Sequence, residues 1–249
     1  MPRTLLAGIR TFILVPLFFI ATLVFASTII IIGLFRSSAP ALERLLNVWS
    51  SWFLRIPPVR VKTTGLEKID PNRRYVVASN HLSLFDIPLL MHGLPLPGRF
   101  LSKKEVFRIP LVGRAMRAVG IIEIDREKGG SSRQAINEGV KVAADRGYSL
   151  LIFPEGTRST DGEMLPFHKG AFRIAIDTGL PLLPVVIEGT GRINEPGSRV
   201  FFPGRATIRV LDPIETADMT NKDNLRSLAA QVEADMAAAY EDSRQTTAG

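Results

Sequence analysis

The stretch Tyr75-Val76-Val77-Ala78-Ser79-Asn80-His81-Leu82-Ser83-Leu84-Phe85-Asp86 organises the reading of the whole chain. Its first five residues form an apolar, β-branched run of the length of a buried strand. A histidine and an aspartate five positions apart follow directly. On one continuous helix, residues five apart point about 140° away from each other. The two side chains therefore meet only if His81 lies in the strand-to-helix turn and Asp86 in the first turn of the next helix. Ser83 is then the candidate N-cap, and Pro88 falls early in that helix, where proline is tolerated. So placed, the imidazole accepts a proton from a hydroxyl while the carboxylate holds the other ring nitrogen and steadies the imidazolium. A plain capped helix start with a histidine in its loop has the same pattern, so the pair needs support from elsewhere.

Two further apolar runs supply it. Ser149-Leu150-Leu151-Ile152-Phe153 leads into Pro154-Glu155-Gly156-Thr157-Arg158-Ser159, and Ile121-Ile122-Glu123-Ile124 leads into Asp125-Arg126. Gly156 permits a close backbone turn. Arg158 presents a planar fork of donors that fits a phosphate. Three strands thus each end in residues suited to a base or to phosphate binding. In open α/β sheets, ligands bind beyond the carboxyl ends of the strands.

With these runs in place, the chain resembles the glycerolipid acyltransferase family, the family of the bacterial 1-acylglycerol-3-phosphate acyltransferases. His81-x4-Asp86 matches its first block, and Phe153-Pro154-Glu155-Gly156-Thr157-Arg158-Ser159 its third without a substitution. Gly120-Ile121-Ile122-Glu123-Ile124-Asp125-Arg126 resembles the second, with Glu123 where the family usually has an apolar or aromatic residue. Leu182-Leu183-Pro184-Val185-Val186-Ile187 resembles the fourth.

The resemblance implies transfer of a fatty acyl group from an acyl thioester to the sn-2 hydroxyl of lysophosphatidic acid, giving phosphatidic acid for phospholipid biosynthesis. His81 is the expected base and Asp86 its orienting partner. The acceptor hydroxyl is itself the nucleophile, so no acyl-enzyme is needed. Arg126, Arg158 and Lys103 are the candidate phosphate ligands. Gly156 and Thr157 belong to the implied acceptor-binding loop. Glu155 orients either Arg158 or an acceptor hydroxyl. The donor is acyl-CoA or acyl carrier protein as a substrate, with no resident cofactor. Pro184 and its neighbours read as core, and the resemblance adds a wall for the acyl donor. His168 and His92 read as structural and as a helix-end residue. Two other readings stand beside this one: an acyltransferase for another lysolipid, such as a lyso-ornithine lipid or lysophosphatidylglycerol, and a non-catalytic membrane protein with the same fold.

Composition narrows the classes. The 249 residues contain no cysteine, which removes disulfides, thiol nucleophiles and Cys-ligated zinc. The three histidines have no metal-ligand spacing, and no Gly-x-Ser-x-Gly elbow marks a serine hydrolase. No metal is expected. The formal charge of +7 suits anionic lipid or phosphorylated ligands. No nucleic-acid-binding motif accompanies it, and no nucleic-acid partner is expected.

Residues 11–35 carry no charge. As a helix those 25 residues would measure about 37 Å, longer than a hydrocarbon core of about 30 Å. Pro16 is expected to weaken or kink the early part. Val24-Phe25-Ala26 also resembles a signal-cleavage site, but the apolar run continues nine residues beyond it. Arginines flank the segment on both sides, so the positive-inside rule sets no orientation, and the segment either spans or re-enters. Residues 41–55 form a second helical candidate, with Leu42, Leu45, Leu46, Trp49, Trp52 and Phe53 on one stripe suited to an interface or to packing on the domain. The lipid bilayer is thus an expected partner. The resemblance adds an active domain facing the cytoplasm, on the inner membrane if the cell is bacterial.

Residues 1–56 therefore read as a membrane-anchoring helical segment and 57–249 as an acyltransferase domain. Strands are predicted at 59–63, 75–79, 99–102, 121–124, 148–153, 183–188 and 206–211. Helices are predicted from about 86, over much of 104–119 with an interruption at Pro110, and at 133–145, 171–177 and 223–241. This alternation specifies an α/β fold: a largely parallel sheet flanked by helices, preceded by membrane-associated helices.

Overall fold

A computed structural model describes residues 2–35, 40–124, 129–195, 197–220 and 222–248. Seven strands form one sheet: β1 (Val59–Thr64), β2 (Val76–Ser79), β3 (Gly98–Lys103), β4 (Ile122–Ile124), β5 (Ser149–Ile152), β6 (Leu182–Glu188) and β7 (Gly204–Val210). Their spatial order is β1-β7-β6-β2-β5-β3-β4. All neighbouring pairs are parallel except β6 and β7, which are antiparallel. The strands from β6 to β4 therefore end at the same edge of the sheet. The central strand, β2, pairs with β6 on one side and β5 on the other.

Both faces of the sheet are covered, which is why its central strands are apolar throughout rather than alternating. Alternate residues of β2 enter opposite cores. Val77 joins Phe85, Leu89, Leu151 and Ile187 on one face, whereas Val76 and Ala78 join Leu150, Phe172 and Val186 on the other. The first core is capped by α2 (Pro40–Arg55) and α3 (Asp86–Gly93). The second is capped by α7 (Gly170–Thr178) and α9 (Lys222–Ala248), whose Leu228, Val232 and Met236 are fully buried one turn apart. Each such side chain contributes about 1.5–3 kcal/mol on leaving water. Between them lie α4 (Lys104–Phe107), α5 (Val112–Val119) and α6 (Gly129–Asp145), and α8 (Thr190–Ile193) follows β6. The helical region around Pro110 is thus split into α4 and α5, as the proline demands.

The first helix, α1 (Pro2–Phe35), is continuous and contains Pro16 within it. Ala7, Thr11, Ala26 and Ile29 form its buried stripe. Arg10 Nη2 donates to the Phe201 carbonyl at 2.7 Å, and the Phe201 amide donates to Thr11 Oγ1 at 3.1 Å. Further along, Trp49 Nε1 of α2 donates to Thr22 Oγ1 at 3.1 Å, and a Cβ on Gly33 would lie 3.0 Å from Ala118 Cβ of α5. Contacts with the domain thus run along nearly the whole helix. The opposite face leaves Leu5, Phe12, Phe19, Ile20 and Val24 exposed. An ion pair from Glu43 of α2 to the buried Arg99 of β3, whose guanidinium also lies over the Tyr148 ring, ties α2 to the sheet.

Candidate active site

The site lies where β6, β2, β5 and β3 end side by side. Asn80 extends the β2–β6 pairing one residue past the strand. Its side-chain amide donates to the Ile187 carbonyl at 2.8 Å and accepts from the Ile187 amide at 2.7 Å. This fixes the backbone that turns into His81. Two groups from the loop after β5 grip His81 itself: its amide donates to Glu155 Oε1 at 2.9 Å, and its carbonyl accepts from the Ser159 amide at 2.9 Å. The imidazole stacks on Phe153 at 3.9 Å between centroids and 9° between planes.

His81 Nδ1 lies 2.7 Å from Asp86 Oδ2. Asp86 is the first residue of α3 and its side chain has no solvent exposure, while that of His81 keeps 15%. The same Oδ2 accepts the amides of Leu82 at 2.7 Å and Ser83 at 2.8 Å. Oδ1 accepts the hydroxyl of Thr190, at the start of α8, at 2.5 Å. Four donors around one buried carboxylate offset the loss of water and hold it in place. With Nδ1 held by Asp86, Nε2 is the nitrogen left to exchange a proton.

The expected cap is not formed by Ser83. The N-cap of α3 is Phe85, without a side-chain cap bond, and Ser83 Oγ instead accepts from the Phe85 amide at 3.3 Å. Asp86 takes over the loop amides because its carboxylate reaches back across the turn. Glu155 is buried, and its second oxygen accepts the Leu165 amide at 3.2 Å rather than pairing with Arg158. Burial pushes its carboxyl up to about 7, against the lowering effect of the His81 and Leu165 amides and with a further push from Asp86. Gly156 has φ of 70°, and a Cβ there would meet the His168 ring at 3.1 Å, so His168 packs under this turn. His92 ends α3, 3.3 Å from Asn47 Oδ1. Glu123 pairs with Arg117 at 3.1 Å.

An apolar cavity of about 650 Å³ opens from His81. Thr22, Phe25, Ala26, Leu46 and Trp49 of α1 and α2 form one wall, and Phe100, Leu101 and Phe153 the other. Lys103, Gly156, Thr157 and Arg158 line it as well. Lys103 and Arg158 are exposed and have no ion pair with any other described residue. The structure thus brings His81, Asp86, Lys103, Glu155, Gly156, Thr157 and Arg158 together. Arg126 lies outside the described residues.

A family model described as Acyltransferase matches residues 60–188. The chain belongs to the acyltransferase family. It is 36% identical over 169 residues to a 1-acyl-sn-glycerol-3-phosphate acyltransferase of Limnanthes douglasii, covering 68% of this chain and 58% of that one. To the 1-acyl-sn-glycerol-3-phosphate acyltransferase alpha of Homo sapiens it is 32% identical over 186 residues, covering 74% and 65%. The matched region spans about three fifths of the length of these curated relatives. The crystal structure of the 1-acyl-sn-glycerophosphate (LPA) acyltransferase PlsC from Thermotoga maritima superposes with a TM-score of 0.78 at 26% identity, covering 97% of this chain and 96% of that one. The acyltransferase fold assignment, α/β with a largely parallel sheet, stands on this match and on the strand order.

Two members of this acyltransferase site were missed in the sequence. Thr190 sits 104 residues from the aspartate it serves, in a four-residue helix without periodicity. Phe153 reads in the sequence as a strand end and the first residue of the third block, with no sign that its ring is the surface on which His81 rests.

Proposed function

We propose that this protein transfers a fatty acyl group from an acyl thioester to the sn-2 hydroxyl of lysophosphatidic acid, forming phosphatidic acid. The observation that carries this reading is the 2.7 Å His81–Asp86 contact at the mouth of an apolar cavity also lined by Lys103 and Arg158. The names of the relatives point the same way. His81 Nε2 removes the proton from the acceptor hydroxyl as its oxygen attacks the thioester carbonyl. Asp86 stabilises the imidazolium. The tetrahedral intermediate expels the thiolate, which takes the proton back from His81. The base acts directly on the acceptor, and the thioester is already activated, so the chemistry calls on no cofactor. Lys103 and Arg158 bind the acceptor phosphate, with Arg126 as a further candidate ligand. Two cations favour a phosphate-bearing lysolipid over one without it. The apolar cavity holds the fatty chain of the donor, which is acyl-CoA or acyl carrier protein.

The protein works at a bilayer. Residues 4–33 are apolar enough to cross one, with mean hydropathy 2.6. The buried stripe from Ala7 to Ile29 would have to leave the domain for α1 to span. That stripe is about 33 Å long. We therefore assign α1 to the plane of one leaflet, its exposed face in lipid and its other face on the domain, with the domain on the cytoplasmic side, where soluble acyl thioesters are found. The test is acyl transfer by the purified protein across a panel of lysolipids, each offered with acyl-CoA and with acyl carrier protein. Turnover restricted to lysophosphatidic acid is expected. Preference for a phosphate-free lysolipid would overturn the assignment.

A further inference from the structure

A second cavity, of about 880 Å³, lies under the N-terminal half of α1. It shares Thr157 and Arg158 with the cavity that opens from His81, so the two meet at the same loop from different sides. Gly8, Phe12 and Val15 of α1 face it, Leu82 and Leu84 flank it from the His81 loop, and Phe201 closes it. Arg158 and Arg199, set against the carboxylate of Glu195, leave this largely apolar space with a net positive lining. Gly8 is inside a helix, where glycine costs about 1 kcal/mol relative to alanine. A Cβ built there meets nothing within 4 Å. The absence of a side chain at this position leaves the cavity open.

The reaction proposed above makes demands that one apolar cavity does not meet. Three long appendages must leave the reacting centre: the donor's fatty chain, the donor's polar carrier, and the fatty chain already on the acceptor. The carrier stays in water. Exposing either chain to water costs about 0.8 kcal/mol per CH₂, so the donor chain needs an apolar recess and the acceptor chain an apolar path from the bilayer to His81. Phe12, on the wall of the second cavity, is 82% exposed on the outer face of α1 assigned to lipid. A lysolipid leaving the bilayer therefore meets this cavity first, with Arg158 and Arg199 complementary to an anionic head.

We propose that the cavity under the N-terminal half of α1 holds the resident acyl chain of the lysolipid acceptor, while the cavity between α1, α2 and the sheet holds the chain being transferred. The ligand class is a single-chain anionic amphiphile. The inference rests on the lysophosphatidic acid reading and divides its substrates between two sides of His81.

Gly8→Phe tests it, because the backbone has room for the new side chain and the ring would fill the cavity. Val200→Trp fills the same space from the other wall and serves if Gly8→Phe fails to fold. Full-length wild type and variant are assayed in mixed micelles with oleoyl and hexanoyl lysophosphatidic acid, and separately with palmitoyl-CoA and hexanoyl-CoA. The ratio of the oleoyl to the hexanoyl acceptor KM is expected to rise about tenfold in the variant, with no matching change in the ratio for the two donors. A change confined to the donor ratio, an equal loss for both acceptors, or no change in a folded variant of an active wild type overturns this inference alone. A wild type that acylates neither lysophosphatidic acid overturns the functional reading, and this inference with it.

Discussion

Thr190 and His81 hold the two oxygens of one carboxylate: Asp86 Oδ1 accepts from Thr190 Oγ1 at 2.5 Å, and Oδ2 lies 2.7 Å from His81 Nδ1. The short helix that follows β6 is thereby coupled to the turn that follows β2 and carries the proposed base. Thr190→Val removes the hydroxyl at nearly constant volume and leaves a buried charged oxygen short of a donor. Stability is expected to fall by about 1.5–3 kcal/mol. Turnover is expected to fall chiefly in kcat, by about tenfold, with Thr190→Ser restoring most of it. A folded Thr190→Val protein with wild-type kcat would show that the contact is structural only.

His81→Ala is expected to lower kcat by about 10²- to 10⁴-fold, the usual worth of a general base. Asp86→Asn is expected to be comparably severe, since an amide loses the charge that steadies the imidazolium and can impose the wrong tautomer. Circular dichroism establishes that each variant is folded. Near-normal turnover by folded His81→Ala would remove the mechanism.

The phosphate assignment is tested by substrate pairs. Arg158→Ala and Lys103→Ala are expected to raise the acceptor KM more than the donor KM. Arg158→Lys should also be impaired, because an ammonium cannot reproduce a bidentate guanidinium contact. Lysophosphatidic acid should exceed the matching monoacylglycerol in kcat/KM for the wild type. Equal values for the two, unaffected by either alanine variant, would eliminate the clamp.

Glu155 makes a signed prediction about pH. Its carboxyl is raised in the folded protein from 4.5 to about 7, chiefly by burial. The folded state therefore binds the proton more tightly than the unfolded state between those values. The stabilisation this provides is fully present below about pH 4.5 and is lost as pH rises through about 7. Glu155→Gln cannot titrate, so the stability of wild type relative to the variant should decline across this window. Denaturation of both in detergent at several pH values measures it. A difference that grows with pH would contradict the buried environment of this carboxyl.

The in-plane assignment of α1 predicts sedimentation with membranes that high salt does not reverse, because apolar insertion is not screened. Glutamate at both Phe19 and Val24, on the exposed face, should release a large fraction while leaving the packed face intact. Vesicle flotation reads this directly. Wild type that remains free of vesicles would refute the assignment.

Much of the architecture was legible because buried parallel strands declare themselves. The runs at β2, β5 and β6 are largely apolar on both faces, and Gly147, Pro154, Pro181 and Gly189 mark the ends of β5 and β6. The His81–Asp86 contact was legible because only a strand-to-helix turn can bring residues at that spacing together. Other features had no local trace. Ser83 looked like a cap because hydroxyls favour that position, but the helix starts later, at Asp86, and Ser83 Oγ takes only the Phe85 amide before it. Thr190 and Glu155 owe their roles to partners over seventy residues away, set by the order in which strands pair. The continuity of α1 through Pro16 reflects packing that begins before the proline and resumes after it.

The wall that α1 and α2 give to the His81 cavity has a consequence for how such a protein can be taken apart. Thr22, Phe25, Ala26, Leu46 and Trp49 face the same space as His81, and the buried Arg99–Glu43 pair fastens that wall to the sheet. On the proposed reading, membrane attachment and substrate enclosure are one trait rather than two modules. A chain begun after Pro57 would keep His81 and Asp86 but open their cavity to water, and a foreign anchor grafted in place of the two helices would restore location without restoring the wall. Selection acting on lipid contact in these helices acts on turnover as well, so neither property can drift independently of the other.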